Sequence, residues 1–148
     1  MISDQKLRLT SYILAGIGFL DAVYLTYVHI AHQRVLCGGY GGCDTVNTSP
    51  YSQVAGIPIA VFGAAAYMAI FLLLYLENKG DFWRENAPMI NFGITLAGVL
   101  YTAYLTYLEL AVIHAICFYC VLSAIMIVLL FILAIIRLAN PQAETKPV

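Results

Sequence analysis

Long apolar runs separated by short polar stretches organise the whole chain. Four runs read as helices: about Leu9 to Ile30, Ile57 to Leu76, Met89 to Leu110 and His114 to Ile136. Each is close to the roughly 20 apolar residues that cross a bilayer core. A helix satisfies its own backbone hydrogen bonds there. The first run is too long for the apolar core of a signal peptide, and no A-x-A cleavage pattern follows it. The pattern predicts an all-α membrane protein. Its four-transmembrane-helix domain covers residues 1–139, with an outer loop at 31–56. A short polar cytoplasmic tail at 140–148 is expected to be disordered.

Composition narrows the class. Of 148 residues, 62% are hydrophobic and only 10% charged, and the mean hydropathy is +0.86. Soluble domains carry roughly 25% charged residues, so a soluble globular domain and a disordered chain are excluded. A net charge of −1 offers no basic excess for nucleic acid. Four spans use up the length and leave no separate soluble domain.

Orientation follows from Lys and Arg. Lys6, Arg8, Lys79, Arg84, Arg137 and Lys146 share one side of an even-span protein, against Arg34 alone on the other. Both termini are therefore expected in the cytoplasm of a cell membrane. The loop from Ala31 and the short turn near Glu109–His114 then face outward. Tyr12, Tyr24, Tyr27, Tyr75 and Tyr107 cluster near span ends, as an interfacial aromatic belt would. Asp21 lies mid-span, where an ionised carboxylate costs at least ~2.5 kcal/mol. It is expected to be protonated or turned to a polar partner; structural hydrogen bonding is its simpler role and proton relay the sharper one. Glu109 reads as an interfacial cap, with proton relay as its alternative.

The chain echoes itself. Tyr24-Leu25-Thr26-Tyr27 recurs as Tyr104-Leu105-Thr106-Tyr107, and a cysteine follows the first tyrosine by the same interval, Cys37 and Cys117. Both spans run outward, so the copies would be parallel repeats, each a helix pair with a cysteine pair at its outer end.

The cysteines carry the chemistry. Cys37 and Cys43 flank Gly38-Gly39-Tyr40-Gly41-Gly42, a stretch whose glycines permit unusual backbone angles and read as a mobile hinge. Cys117-Phe118-Tyr119-Cys120 is a C-x-x-C in the first turns of span four. Residues three apart share a helix face. The positive helix N-terminus favours a thiolate, above all at Cys117. At ~1.5 Å rise per residue, this pair lies only a few Å inside the interface, where an amphipathic quinone head reaches from the lipid. All four thiols face the oxidising side, where disulfides persist. Two static bridges in a structural or assembly protein are one reading, and a four-cysteine zinc site is another. His29, His32 and His114 sit at outer span ends and read as polar caps before metal ligands, so no metal is expected. Chemistry favours a redox relay: a loop pair open to a soluble partner exchanges with an embedded pair beside a lipid-soluble acceptor. One disulfide and one quinone each carry two electrons and two protons.

This ordered set resembles the vitamin K epoxide reductase family over almost the whole chain. The resemblance rests on Cys37 and Cys43, Ser49, Gly56-Ile57-Pro58, Phe62-Gly63 and the C-x-x-C opening span four. It implies a four-helix bundle enclosing a quinone, capped by the outer loop. It implies that Cys37 exchanges with a thioredoxin-fold partner and that Cys43 attacks the embedded disulfide to give a transient Cys43–Cys117 bridge. Cys120 becomes the quinone-side thiol, and the Ser49 hydroxyl bonds a quinone oxygen; a turn role for Thr48-Ser49-Pro50 is the alternative. On the α-helical face of Cys117 and Cys120, small Ala124 would leave room beside Ile127 for a flat ring. Animal members carry a tyrosine where this chain has Ala124, and a more widely spaced loop pair. The expected acceptor is therefore a respiratory quinone of ubiquinone or menaquinone type. Many bacterial relatives carry a fused thioredoxin-like domain; with the chain ending at Val148, a separate exported carrier is expected. The unrelated bacterial disulfide-bond membrane oxidases also have four spans and two cysteine pairs, but here the C-x-x-C falls on span four.

Overall fold

A computed structural model describes residues 3–37 and 42–140. Four long helices dominate: α1 (Asp4–Ile30), α3 (Ile59–Leu76), α4 (Asp81–Leu108) and α5 (Phe118–Ala139). All four are long and apolar enough to cross a membrane. α1 packs on α3 and α5, and α4 packs on the same two, so α1 and α4 lie diagonally across a closed four-helix ring. The α1/α3 and α4/α5 hairpins are the two helix pairs that the internal echo anticipated. The echo does not extend to side-chain roles, because Tyr104 is exposed whereas Tyr24 meets the cysteine region.

The helix ends depart from the apolar runs for local reasons. α1 starts at Asp4 and α5 runs to Ala139 because Asp4 and Arg137 pair with each other. α4 starts at Asp81 and continues through Pro88. Burial of Ala87, Pro88 and Asn91 carries the helix past the residue that usually breaks one. At its far end α4 passes into a π-helical turn, Glu109–Ile113, closed by His114 in the left-handed region at φ 56°. That reversal is why α5 begins at Phe118 and not at His114. Cys117 becomes its N-cap instead of lying within the helix.

The loop between α1 and α3 is structured. It holds a short helix α2 (Cys43–Asn47), a 3-10 turn (Pro50–Ser52) and a two-residue hairpin, β1 (Gln53–Val54) against β2 (Ile57–Pro58). The hairpin turn Ala55-Gly56 has φ of 53° and 82°, the double positive φ of a type I′ turn. Ile57 and Pro58 therefore leave span two, and α3 starts after the proline. Residues 38–41, most of the expected glycine hinge, and the tail from 141 lie outside the described residues.

The bundle core is formed by Ala15, Ala22, Tyr67, Ile70, Leu74, Ile127 and Leu130. Gly18 makes one contact possible: a Cβ there would run into the Tyr67 ring. Without it the ring lies on α1, and its hydroxyl reaches Ser123 on α5, 2.8 Å from the carbonyl oxygen and 3.0 Å from Oγ. Lipid-type side chains such as Leu20, Met89 and Leu100 point outward. The opposite end from the loop is ionic: Arg137 holds Glu77 by two hydrogen bonds of 3.1 and 2.7 Å, both groups buried.

Candidate functional site

All four cysteines converge at the loop end. Cys37 and Cys43 form a disulfide, with Cα atoms 6.1 Å apart; Cys117 and Cys120 are free thiols. Cys43 and Cys117 are fully buried in one cluster with Leu25, Val28 and Val35. Their sulfurs share one helix terminus. Cys43 Sγ accepts from the Phe118 N–H at 3.3 Å, and Cys117 Sγ accepts from the Cys120 N–H at 3.4 Å. The first turn of α5 has amides without intrahelical partners, and both sulfurs fill that need. Close approach of the loop depends on Gly42, where a Cβ would enter the backbone of Ile116.

The Cys120 side chain also hydrogen-bonds Cys117. With the Cys120 and Tyr119 amides it holds the Cys117 thiol below its ordinary pKa, against the effect of burial. This agrees with the thiolate preference expected there, although a hydrogen-bonding thiol leads the effect. Glu109 is no interfacial cap. Its carboxylate is buried, accepts the Cys117 N–H at 3.1 Å and interacts with the Cys120 side chain. The π-turn brings it there, since the Ala115 N–H bonds the Glu109 carbonyl at 3.1 Å and folds the segment over. π-bulges are frequent at functional sites.

Beneath the loop lies a cavity of about 410 Å³, walled by all four long helices and the loop. That volume is within the usual range for small-molecule sites. Cys120 lines it, as do Ser49, Asp21, Tyr67, Ser123, Tyr101 and Glu109. Ser49 donates its hydroxyl hydrogen to the Val46 carbonyl at 2.8 Å, so it offers lone pairs to the cavity and also makes the turn. Ala124 corrects the helix-face reading. On α5 the lining residues are Cys120, Ser123 and Ile127; at 3.6 residues per turn, i+3 and i+7 fall to one side of Cys120 and i+4 to the other.

Several contributors were missed from the sequence. Tyr24 is no belt residue: its ring meets that of Tyr119 at a tilt of 48° with centroids 5.2 Å apart, and its hydroxyl accepts from the Leu36 N–H at 3.3 Å. Tyr119 donates to the Leu36 carbonyl at 2.9 Å. The two tyrosines thus clamp the backbone next to Cys37. His29 meets the Asn47 carbonyl through Nδ1 at 3.0 Å and the Gln53 amide through Nε2 at 2.9 Å, tying the loop to α1. The echo and the C-x-x-C spacing pointed near Tyr24 and Tyr119, but no spacing signal marked Tyr67 or Ser123. Among the described residues, no three His, Cys, Asp or Glu side chains group as metal ligands.

A helical bundle with one disulfide, a dithiol of one buried and one half-buried cysteine, and a half-open, largely apolar cavity defines a class of membrane-type dithiol protein. The family model for the vitamin K epoxide reductase family matches residues 9–135, and the chain belongs to that family. It is 33% identical to "Thiol-disulfide oxidoreductase LTO1" of Arabidopsis thaliana over 122 residues, covering 78% of this chain and 32% of that relative. The chain thus spans about a third of the length of the curated relative it matches.

Proposed function

We propose that this chain is a membrane thiol–quinone oxidoreductase that supports disulfide formation in exported proteins. Its cysteines face outward, and both termini face the cytoplasm. The observation that carries the reading is the shared helix end: Cys43 Sγ and Cys117 Sγ each take an amide hydrogen from the first turn of α5 while fully buried. Partial positive charge at that end favours whichever sulfur is the thiolate. Family membership and the similarity to a thiol-disulfide oxidoreductase support the same class of chemistry.

A thiolate of a separate, exported thioredoxin-fold partner attacks Cys37 Sγ, breaks the Cys37–Cys43 bond and frees Cys43 as a thiolate. Cys43 attacks Cys117 of an oxidised Cys117–Cys120 pair, forming a Cys43–Cys117 bond and releasing Cys120. The partner closes its own disulfide and frees Cys37, which attacks Cys43 and leaves Cys117 reduced. One partner dithiol is oxidised, one embedded disulfide is reduced, and two electrons have moved inward. A loop disulfide beside a reduced inner pair, the arrangement seen here, is the end of that sequence. Glu109 supplies a proton as Cys120 leaves Cys117 and takes it back when the inner dithiol is reoxidised; its contacts with both inner cysteines support this role.

The cavity suits a quinone head of ubiquinone or menaquinone type. Its wall is largely apolar, Cys120 opens into it, and the Asp21 carboxyl lines it without a hydrogen-bond partner. Cys120 and the α3 and α4 walls would hold the ring, and the lone pairs of Ser49 would accept from a hydroxyl of its reduced form. When bound, a quinone supplies a two-electron, two-proton acceptor for the inner dithiol.

The test is Cys120→Ala beside wild type. In the variant, Cys117 displaces Cys37 from Cys43, no Cys120 is left to recapture Cys117, and alkylating the freed Cys37 thiol stops the one reverse attack that remains. Disulfide mapping is expected to find Cys43–Cys117 with Cys37 free, and dithiol-driven quinone reduction is expected only in wild type. Finding only the Cys37–Cys43 bridge in the variant, with no turnover in a folded wild-type sample, would leave a static scaffold.

A further inference from the structure

The geometry points to Asp21 as the group that recognises the polar head of the cavity's ligand, an oxygen-bearing carbon on a flat apolar ring. The inference rests on the thiol–quinone reading and adds the residue that holds the head. Asp21 lies on α1, is 9% exposed and lines the cavity. Neither of its carboxyl oxygens has a hydrogen-bond partner. Among the described residues, buried side-chain atoms lack partners on Arg8, Asp21 and Asn91, and of these only Asp21 borders the cavity.

Of the other cavity hydroxyls, those of Tyr51 and Tyr101 belong to exposed residues and make no hydrogen bond among the described residues; the serine, threonine and Tyr67 hydroxyls are committed. Ser49 donates to Val46, Thr102 to Val99 and Thr106 to Thr102. Tyr67 and Ser123 satisfy each other. Buried polar groups are nearly always paired, and an exception needs a reason. Structural hydrogen bonding, the simpler sequence expectation for Asp21, requires a partner that the helices do not provide. An ionised carboxylate without a partner is far costlier to bury than the neutral acid. As an acid, Asp21 carries one O–H donor and one carbonyl acceptor. That pair matches the carbonyl oxygen of a quinone and the hydroxyl of its reduced form, so one residue holds both redox states of the ligand. Ser49, the hydroxyl expected for this task, has its hydrogen on Val46 and serves only as an acceptor.

A buried acid kept for a ligand weakens the empty fold, and the test uses that signature. The full chain in detergent is titrated with a short-chain benzoquinone, following tyrosine and tryptophan fluorescence and Tm. Asp21→Leu is expected to raise the Tm of the ligand-free protein, since it replaces an unpaired acid with packing. It is also expected to weaken quinone binding about tenfold, the scale of one lost hydrogen bond of average-to-strong kind. Asp21→Asn keeps a donor and an acceptor and is expected to bind within about threefold of wild type. In infrared difference spectra, quinone addition is expected to shift a carboxylic-acid C=O band that Asp21→Asn removes. If Asp21→Leu fails to fold by circular dichroism, the infrared comparison of wild type with Asp21→Asn decides alone. Wild-type binding with an unperturbed carboxylic-acid band, or equal binding in Asp21→Leu, overturns the role of Asp21 and leaves the thiol–quinone reading standing. Absence of quinone binding in wild type overturns both.

Discussion

The two ends of the bundle are buried to a similar degree and held in different ways. At one end Glu77 and Arg137 are 5% and 6% exposed. Glu77 receives two hydrogen bonds from Arg137 and lies 3.5 Å from Arg8. Arg137 also reaches Asp4 at 3.4 Å, and Arg8 donates to the Leu74 carbonyl at 3.0 Å. Glu77, Arg137 and Arg8 each have two partners, drawn from α1, α5 and the end of α3. At the other end Cys43 and Cys117 are fully buried, yet Cys43 Sγ accepts one long amide bond and Cys117 Sγ is met only by the amides and thiol of its own helix turn. Sulfur is a weak acceptor, so changing its covalent partner sacrifices little hydrogen bonding. Multiple strong pairings make one end a fixed joint. Few weak ones leave the other free to exchange bonds.

The comparison breaks first at the ionic end. Glu77→Ala strands Arg137 and Arg8 in a buried site, and losing one partner of a buried pair costs about 3–5 kcal/mol. Denaturation in detergent should show that loss, and replacing both partners with leucine (Glu77→Leu with Arg137→Leu) should recover most of it. A Glu77→Ala protein as stable as wild type would mean that the cluster is not the joint described.

At the sulfur end the largest effect is steric and local. Gly42→Ala forces a Cβ toward the Ile116 backbone, and such overpacking costs about 1–3 kcal/mol. The loop can relieve it by lifting Cys43 away from α5. Global stability should change less than in Glu77→Ala, while formation of the Cys43–Cys117 bridge in the Cys120→Ala background slows about tenfold or more. Unchanged bridge formation would show that exchange does not need the close loop contact.

The sequence made the bundle legible because membrane helices announce themselves by length and apolarity, and the four cysteines by type and spacing. It missed the helix ends wherever a tertiary contact overrode the local pattern. Asp4 and Arg137 extend helices by pairing, and buried Ala87, Pro88 and Asn91 carry α4 through a proline. The π-turn at Glu109 was invisible for the same reason. One extra residue per turn is set by packing and not by propensity, and it moved Glu109 from a supposed cap into the site. Ala124 failed by one residue of helical phase, a precision that hydrophobic periodicity lacks when a helix is apolar all round. Asp21 stood out from the start as a carboxyl in an apolar run, but only three-dimensional packing shows that no protein group meets it.

A titration sharpens the comparison further. With Cys37 and Cys43 both changed to serine, the thiolate absorbance of Cys117 should rise with a midpoint below the ordinary thiol value of about 8.5, because Cys120 hydrogen-bonds it. A lower pKa keeps the nucleophilic form at lower pH. Adding Cys120→Ala removes the leading cause, so the midpoint should move up, and exchange through Cys117 should need more alkaline conditions. No movement would assign the lowered pKa to the helix terminus alone.

The smallest effect concerns how firmly the outer sulfur pair is held. Leu36 has a 77% exposed side chain, so packing does little to position it. Its backbone is instead gripped on both sides, by Tyr24 at the N–H and Tyr119 at the carbonyl. Each bond is worth about 0.5–1.5 kcal/mol, a two- to tenfold effect at most on the freedom of the adjoining Cys37. Tyr24→Phe and Tyr119→Phe should each speed reduction of the Cys37–Cys43 disulfide by a small dithiol within that range. Because both hydroxyls hold the same residue, either one left in place still restrains it, and the double variant should exceed the product of the two single effects. Stopped-flow reduction kinetics of the four proteins would measure the coupling directly. If all four react alike, Leu36 is restrained by something stronger than two phenol hydrogen bonds. The loop end would then be as rigid a joint as the ionic end, and bond exchange would have to depend on a larger opening of the loop.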